Sequence, residues 1–387
     1  MEPLWKSALD DIVSKTKANI ARFGTQFPHV SKDDKYLLND NTDWTDGFWS
    51  GILWLCYEYT KDPIFSDAAK HTVDSFRERL QHKRVLEHHD IGFLYSLSAK
   101  AQWMIEQDEE ARKLAIEAAN VLFDRWRDSG QYIQAWGPQG DPLNGGRIII
   151  DCLMNLPLLY WASEQTGDSK YAAIAHKHAE LSRRYLVRGD DSSYHTFVFD
   201  EQTGAPIGGS THQGYTNGST WTRGQAWGVY GFALSYRYTK QESFLETSRR
   251  LALYFIDHLP EDQVAYWDFD APIEANTPRD SSASAIVAAG LQELLEHLPQ
   301  DHEDREKLTD ALHQMTNALI VNYSTMNEPQ AEGLLKHGSY SVQHDNSPDD
   351  YMIWGDYYYT EALMRLVTGT TGYWYERQAD SKPIKAL

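Results

Sequence analysis

Basic residues are in deficit: 36 lysines and arginines stand against 56 aspartates and glutamates, a formal net charge of -20 over 387 residues. Like charge repels nucleic acid and anionic membrane surfaces, so neither is expected as a general partner. Cysteine is nearly absent. Cys56 and Cys152 are the only two, both inside apolar runs, which excludes a disulfide framework and points to reduced core residues. No apolar run reaches the roughly 18 to 20 residues of a membrane span, and MEPLWKSALDD lacks the regions of a signal peptide. The cytoplasm is the expected location. GxSxG, a P-loop and a GxGxxG after a strand are also missing. Acyl transfer, nucleotide hydrolysis and Rossmann-type redox chemistry therefore lack support.

Aromatic residues are plentiful, with 13 Trp and 23 Tyr. Many sit beside Gly, Asp, His and Arg, a setting that suits stacking on sugars, although large helical cores also use such rings. Apolar spacing divides the chain into about twelve helices of two alternating kinds. Amphipathic segments run from Leu4 to Phe23, Ile64 to Leu80, Glu110 to Trp126, Tyr171 to Leu186, Phe244 to Leu259 and Asp304 to Tyr323. Between them lie segments apolar on most sides: Gly47 to Tyr59, Ile91 to Ile105, Cys152 to Ala162, Gly224 to Tyr238, Ser282 to Leu298 and Trp354 to Val367. The first kind should lie outside and the second inside.

Similar turns follow three inner segments, at Tyr59-Thr60-Lys61-Asp62, Gln165-Thr166-Gly167-Asp168 and Tyr238-Thr239-Lys240-Gln241, which reads as stacked helical hairpins. No strong linker interrupts them. The expected architecture is all-α, a single domain over residues 1–387 in which six hairpins close into an (α/α)6 barrel, because an open solenoid would expose apolar ends. Val187 to Thr220, which contains SSYHTFVFD, should form a short hairpin or lid.

The loops leading into inner helices collect the Trp, His and Asp that a core does not explain, so the barrel end where they meet should carry the site. There Asp151, after Ile148-Ile149-Ile150, opens the apolar run Leu153 to Trp161, and Asp90, after His88-His89, opens another. A carboxylate at such a place needs a reason. Helix capping is one; a proton donor paired with a base in an aromatic cleft, the equipment of glycoside chemistry, is the other. Asp43, Asp46, Asp268 and Asp356 read as caps. Arg223, between Trp221 and Trp227, could grip a substrate carboxylate or pair with a structural aspartate. His88, His89, His195 and His212 match no metal-ligand spacing, so no metal is expected.

The stretches NDNTDWTDGFWSGILWL, HHDIGFLYSLSAK, GGRIIIDC, SYHTF, WTRGQAWG, YWDF with RDSSASA, and IWGDYYY resemble the unsaturated glucuronyl hydrolases of glycoside hydrolase family 88, over nearly the whole chain. The resemblance implies an (α/α)6 barrel without metal or organic cofactor. It implies a substrate made by polysaccharide lyases, an oligosaccharide with a 4,5-unsaturated uronic acid at its non-reducing end. The reaction it implies is hydration of the C4=C5 vinyl ether, giving a hemiketal that rearranges and releases the neighbouring sugar. Carried over, Asp151 is the general acid and base, and Asp90 holds ring hydroxyls and tunes Asp151. Trp44, His89, Trp136, His195, Gln213, Trp221, Arg223 and Trp227 match positions of the sugar subsite, Arg223 and Gln213 on its carboxylate side. The segment HGSYSVQHDNSPDDY lacks the Ser and Lys rich character of relatives that favour sulfated fragments, so unsulfated or weakly sulfated substrates are expected. The chain should be a monomer or weak homodimer. Rival readings are an unsaturated rhamnogalacturonyl hydrolase acting on pectin fragments, a non-catalytic carbohydrate-binding barrel, and a helical epimerase.

Overall fold

Apolar periodicity decides which helices are wrapped and which do the wrapping. The computed structural model describes residues 1–376; residues 377–387 of the expected domain lie outside the described residues. In chain order its elements are α1 (Glu2–Phe23), β1 (Phe27–Lys32), β2 (Lys35–Asn39), α2 (Asp46–Thr60), α3 (Pro63–Gln81), and α4 (Ile91–Tyr95) continued through a π turn (Ser96–Lys100) into α5 (Ala101–Glu106). Then come α6 (Glu109–Phe123), β3 (Trp126–Arg127), β4 (Tyr132–Ile133), β5 (Arg147–Ile149), a 3-10 turn (Ile150–Met154), α7 (Leu156–Thr166) and α8 (Lys170–Tyr185). The remainder is β6 (Thr196–Phe199), β7 (Pro206–Ser210), α9 (Thr222–Thr239), α10 (Glu242–Asp257), α11 (Ser281–His297), α12 (Arg305–Ala318) and α13 (Ile353–Thr368).

The inner helices touch in the order α2, α4, α7, α9, α11, α13 and back to α2, a closed ring. The outer helices α1, α3, α6, α8, α10 and α12 lie around it, and α1 packs on α13 so that the two ends of the chain complete the barrel. This is the (α/α)6 barrel. Outer helices bury one stripe: α1 buries Trp5, Ala8, Leu9 and Ile12, and α10 buries Phe244, Leu251 and Phe255. Inner helices are buried almost all round, as α11 is from Ser281 to Leu295. Their backbones approach closely at small residues. A Cβ on Gly92 would stand 2.4 Å from the Cα of Asn155, and one on Gly231 would stand 2.4 Å from the Cβ of Leu153, so these contacts admit only glycine.

The repeated turns share one device. Thr60, Thr166, Thr239 and Thr368 each donate a hydroxyl bond of 2.7 Å to the carbonyl four residues back. The same oxygens accept the N–H of Asp62, Asp168, Gln241 and Thr370. Between donor and acceptor, Lys61, Gly167, Lys240 and Gly369 take left-handed φ angles of 58°, 73°, 55° and 70°. Helix ends of this kind satisfy terminal carbonyls and reverse the chain in two or three residues, which leaves the long connections for the opposite end of the barrel.

Those long connections carry β structure that helical periodicity did not announce. The hairpin expected within Val187 to Thr220 is β6–β7, and β5 joins it to make three antiparallel strands. The hairpins β1–β2 and β3–β4 were not expected. Trp126, placed by its spacing in the helix from Glu110, instead pairs with Ile133. Helix α6 ends at Phe123 because Arg125 exchanges bonds with Gln134, whose N–H donates to the Arg125 carbonyl at 2.9 Å, and strand pairing overrides helical propensity there.

Candidate active site

The loops that lead into the inner helices enclose a cavity of about 600 Å³. Of the residues singled out in the sequence, Trp44, His89, Asp90, Trp136, Asp151 and Gln213 line it. Local pairing sets this wall. His89 donates its backbone N–H to Ala135 at 2.8 Å, Gly137 to Glu87 at 2.9 Å, and Ala135 to Arg147 at 3.0 Å, so Trp136 stands beside His89 and next to β5. Strand alternation then turns Arg147, Ile149 and Asp151 toward the cavity, while Ile148 and Ile150 enter the core. Asn155 ties the two aspartate-bearing elements together. Its Oδ1 accepts the Phe93 N–H at 2.8 Å and its Nδ2 donates to the Asp151 carbonyl at 3.3 Å.

The two carboxylates live in different fields. Asp151 is partly open to the cavity, yet its Oδ1 is buried with no hydrogen-bond partner. Burial first, and the negative charge of Asp90 second, push its pKa up to about 8, against a smaller lowering by Arg223. Asp151 is therefore mostly protonated at neutral pH. Burial acts on Asp90 too, but His89, His88 and Arg125 outweigh it and hold Asp90 below the usual carboxylate range. His88 Nδ1 lies 3.3 Å and His89 Nε2 3.4 Å from its oxygens. Burial brings His89 down to about 4, so at neutral pH its ring is uncharged, and the tautomer protonated at Nε2 suits Asp90. One neutral acid and one carboxylate in a single cleft are an acid-base pair.

A raised pKa alone does not mark the acid. Burial also pushes Asp46 and Asp356 up to about 7, and neither lines the cavity. Asp46 accepts bonds from Asn39, the Asp43 N–H and Arg79. Asp356 accepts from the Tyr36 hydroxyl and from the N–H groups of Leu334 and Leu335. Asp268 gathers Tyr215, Ser219 and Asp270. These three tether loops, where the sequence suggested helix caps.

Four of the residues expected to touch sugar, Arg223, Trp221, His195 and Trp227, are buried. The Arg223 guanidinium is buried, is paired with Asp280, donates to the Ser339 carbonyl, and reaches the Tyr340 carbonyl at 2.8 Å. It lies between the rings of Trp221 and Trp354, at 4.6 and 5.2 Å. Trp221, buried, covers His195 at 4.2 Å. His195 Nδ1 accepts the N–H groups of His212 and Gln213 at 3.1 and 3.2 Å, and so anchors the loop that delivers Gln213. Trp227, fully buried, packs on Phe93 and Tyr358 at 5.3 and 5.4 Å. Gln213 itself donates to the Tyr340 carbonyl at 2.7 Å.

Sequence reasoning missed Asn144, Arg147, Ile149 and Tyr340, which line the cavity together with His212, Ser341, His344 and Asn346. For Arg147 and Ile149 the signal was the period-2 spacing back from Asp151. Tyr340 gave none, since its position follows from the hydroxyl that accepts Trp44 Nε1 at 3.3 Å, 296 residues away in sequence. Among the described residues no group of three or more His, Cys, Asp or Glu is placed to hold a metal ion.

The sequence model of Glycosyl Hydrolase Family 88 matches residues 19–367. The unsaturated glucuronyl hydrolase of Bacillus sp. (strain GL1) is 60% identical over 375 residues, 97% of this chain and 100% of the relative. The unsaturated chondroitin disaccharide hydrolase of Streptococcus pyogenes serotype M1 is 42% identical, over 95% of this chain and 92% of the relative. A solved UGL, an aspartate-to-asparagine variant with dGlcA-Glc-Rha-Glc, superposes with a TM-score of 0.95 at 60% identity, over 96% of this chain and 99% of that one. By that match along most of its length, and by a relative that spans nearly all of it, the chain belongs to Glycosyl Hydrolase Family 88.

Proposed function

We propose that the chain releases 4,5-unsaturated glucuronic acid from the non-reducing end of lyase-generated oligosaccharides, fragments of glycosaminoglycan or bacterial polysaccharide, by hydrating the C4=C5 vinyl ether. The observation that carries this reading is the opposite protonation of two carboxylates on one aromatic-walled cavity, Asp151 as the acid and Asp90 as the carboxylate. Asp151 gives its proton to C4, and the cation left at C5 is shared with the ring oxygen. Water adds at C5 and returns a proton to Asp151. The hemiketal opens to a ketone at C5, and the hemiacetal at C1 expels the second sugar as an alcohol. Asp90 stays ionised, accepts ring hydroxyls, and keeps Asp151 protonated by its charge. Trp44 and Trp136 are the stacking surfaces for the sugar.

The test is loss of the ultraviolet absorbance of the conjugated double bond together with appearance of the free second sugar. Turnover of an unsaturated rhamnogalacturonyl substrate in place of the glucuronyl one, or a product that still holds both sugars, refutes the reading. The wall at Ser341, His344 and Asn346 brings no lysine to the cavity, which supports a preference for unsulfated or weakly sulfated fragments, checked with matched disaccharides. A continuous hydrophobic cluster from Trp5 to Tyr375 supports one catalytic domain. Free, buried Cys56 and Cys152 suit the cytoplasm. The net charge of -20 favours a monomer or weak homodimer, to be read by sedimentation.

A further inference from the structure

A second cavity, of about 820 Å³, adjoins the first: His88 and Pro138 line it, whereas their near neighbours His89 and Trp136 line the other. No residue lines both. Arg125 and Arg127 line this second cavity while only 6% and 7% exposed, which sets their charges at its depth.

Both arginines spend their bonds on uncharged acceptors. Arg125 donates Nε to the Gln134 carbonyl at 2.8 Å and Nη2 to the Gly137 carbonyl at 3.1 Å. Arg127 donates Nε to Gln134 Oε1 at 2.7 Å and Nη1 to the carbonyls of Asp124 and Trp126 at 3.0 and 2.9 Å. Among the described residues neither guanidinium has a carboxylate within ion-pair distance, and Nη1 of Arg125 and Nη2 of Arg127 have no partner. Burial first, and the like charge of Arg127 second, bring Arg125 down to about 10, so it is still a cation at neutral pH. A fold avoids burying one charge without a counter-charge. Here, in a chain with 56 aspartates and glutamates, it buries two side by side.

The mouth has the opposite sign. Glu87, Glu117 and Asp124 line the cavity and are exposed, with Lys83 as the exposed cation among them. Leu86 and Val121 give it an apolar side. Buried guanidinium forks match a carboxylate, carboxylates at the mouth accept hydroxyls, and the apolar side takes the C–H face of a ring. A bare oxyanion would leave the mouth unused, and a long polyanion would be repelled by it.

We infer that this cavity is a second binding site, for a single acidic sugar of the uronic acid type, held with its carboxylate on Arg125 and Arg127 and its hydroxyls at the mouth. The inference does not depend on the reaction proposed above.

The probe is D-glucuronate, titrated calorimetrically at fixed ionic strength into wild type, Val121→Trp and Arg127→Gln, with D-glucose and inorganic phosphate as controls. Val121 is partly exposed on α6, so a tryptophan there fills the cavity from its apolar side and leaves both arginines in place. Val121→Trp should remove one glucuronate per chain and keep KM for an unsaturated glucuronyl disaccharide within about 2-fold of wild type. Arg127→Gln should weaken the same site by about 10-fold or more, the loss of a charged hydrogen bond. Glucose and phosphate should each bind it at least about 10-fold more weakly than glucuronate. Undiminished glucuronate stoichiometry in Val121→Trp overturns the site, and so does wild type that binds no glucuronate. Glucose or phosphate bound as tightly as glucuronate overturns the ligand class. Should Arg127→Gln fail to fold, Val121→Trp decides alone.

Discussion

Asp151→Asn should make the protein more stable while it stops turnover. Asparagine keeps the size of the side chain and removes its charge. In the unfolded chain an aspartate titrates near 3.8, whereas in the barrel Asp151 titrates at about 8, raised mainly by burial and then by Asp90. The folded state therefore binds the extra proton, and folding is penalised at every pH between those two values. At about 1.36 kcal/mol per unit the penalty is near zero at pH 4, about 4 kcal/mol at pH 7, and level at about 6 kcal/mol above pH 8. Because Asp151 is partly open to the cavity, water screens part of this, and about 2 to 3 kcal/mol at pH 7 is the realistic gain for the variant. Urea denaturation at pH 4.5, 7 and 8.5 measures it: the variant's advantage should grow from the first to the second and flatten by the third. Turnover should fall by about 10³-fold or more with the general acid gone. A variant less stable than wild type at pH 7, or an advantage independent of pH, would refute the claim that Asp151 folds as a buried neutral acid.

Wild-type kcat/KM should hold below pH 8 and fall above it as Asp151 loses its proton, and Asp90→Asn, by removing a neighbouring negative charge, should move that basic limb to lower pH. A limb that stays in place means the two aspartates are not coupled. Arg223→Met leaves Asp280 buried and unpaired, which should cost about 3 to 5 kcal/mol in chemical denaturation. The same change should move the basic limb upward, because Arg223 lowers the Asp151 pKa; unchanged stability would mean that Asp280 has found another partner.

Alternation of amphipathic and all-round apolar segments is a property of the local sequence, and it fixed the number of helices and which of them face inward. Gly, Thr and the charged residue after it likewise mark the short turns, because helix termination is decided within a few residues. Asp90 and Asp151 were legible for the same reason: each interrupts an oily run where a charge is expensive. The hairpins β1–β2 and β3–β4 were not, since pairs such as Trp126 with Ile133 depend on chain reversal and not on periodicity.

The surroundings of Arg223 and Arg147 were also beyond local reading. Arg223 sits between two tryptophans in sequence, and its partner Asp280 is 57 residues away and meets it only when α9 and α11 pack side by side. Arg147 follows two glycines and carries no such flag, yet strand alternation and the Trp136 ring bring it to the cavity. Helix number, inner and outer faces and the positions of both acids thus belong to the sequence, because periodicity and the cost of burying charge act over neighbouring residues. Which cation is spent inside the wall and which is left facing the cavity belongs to the tertiary structure, because pairing of buried charges is settled between segments that only barrel closure brings together.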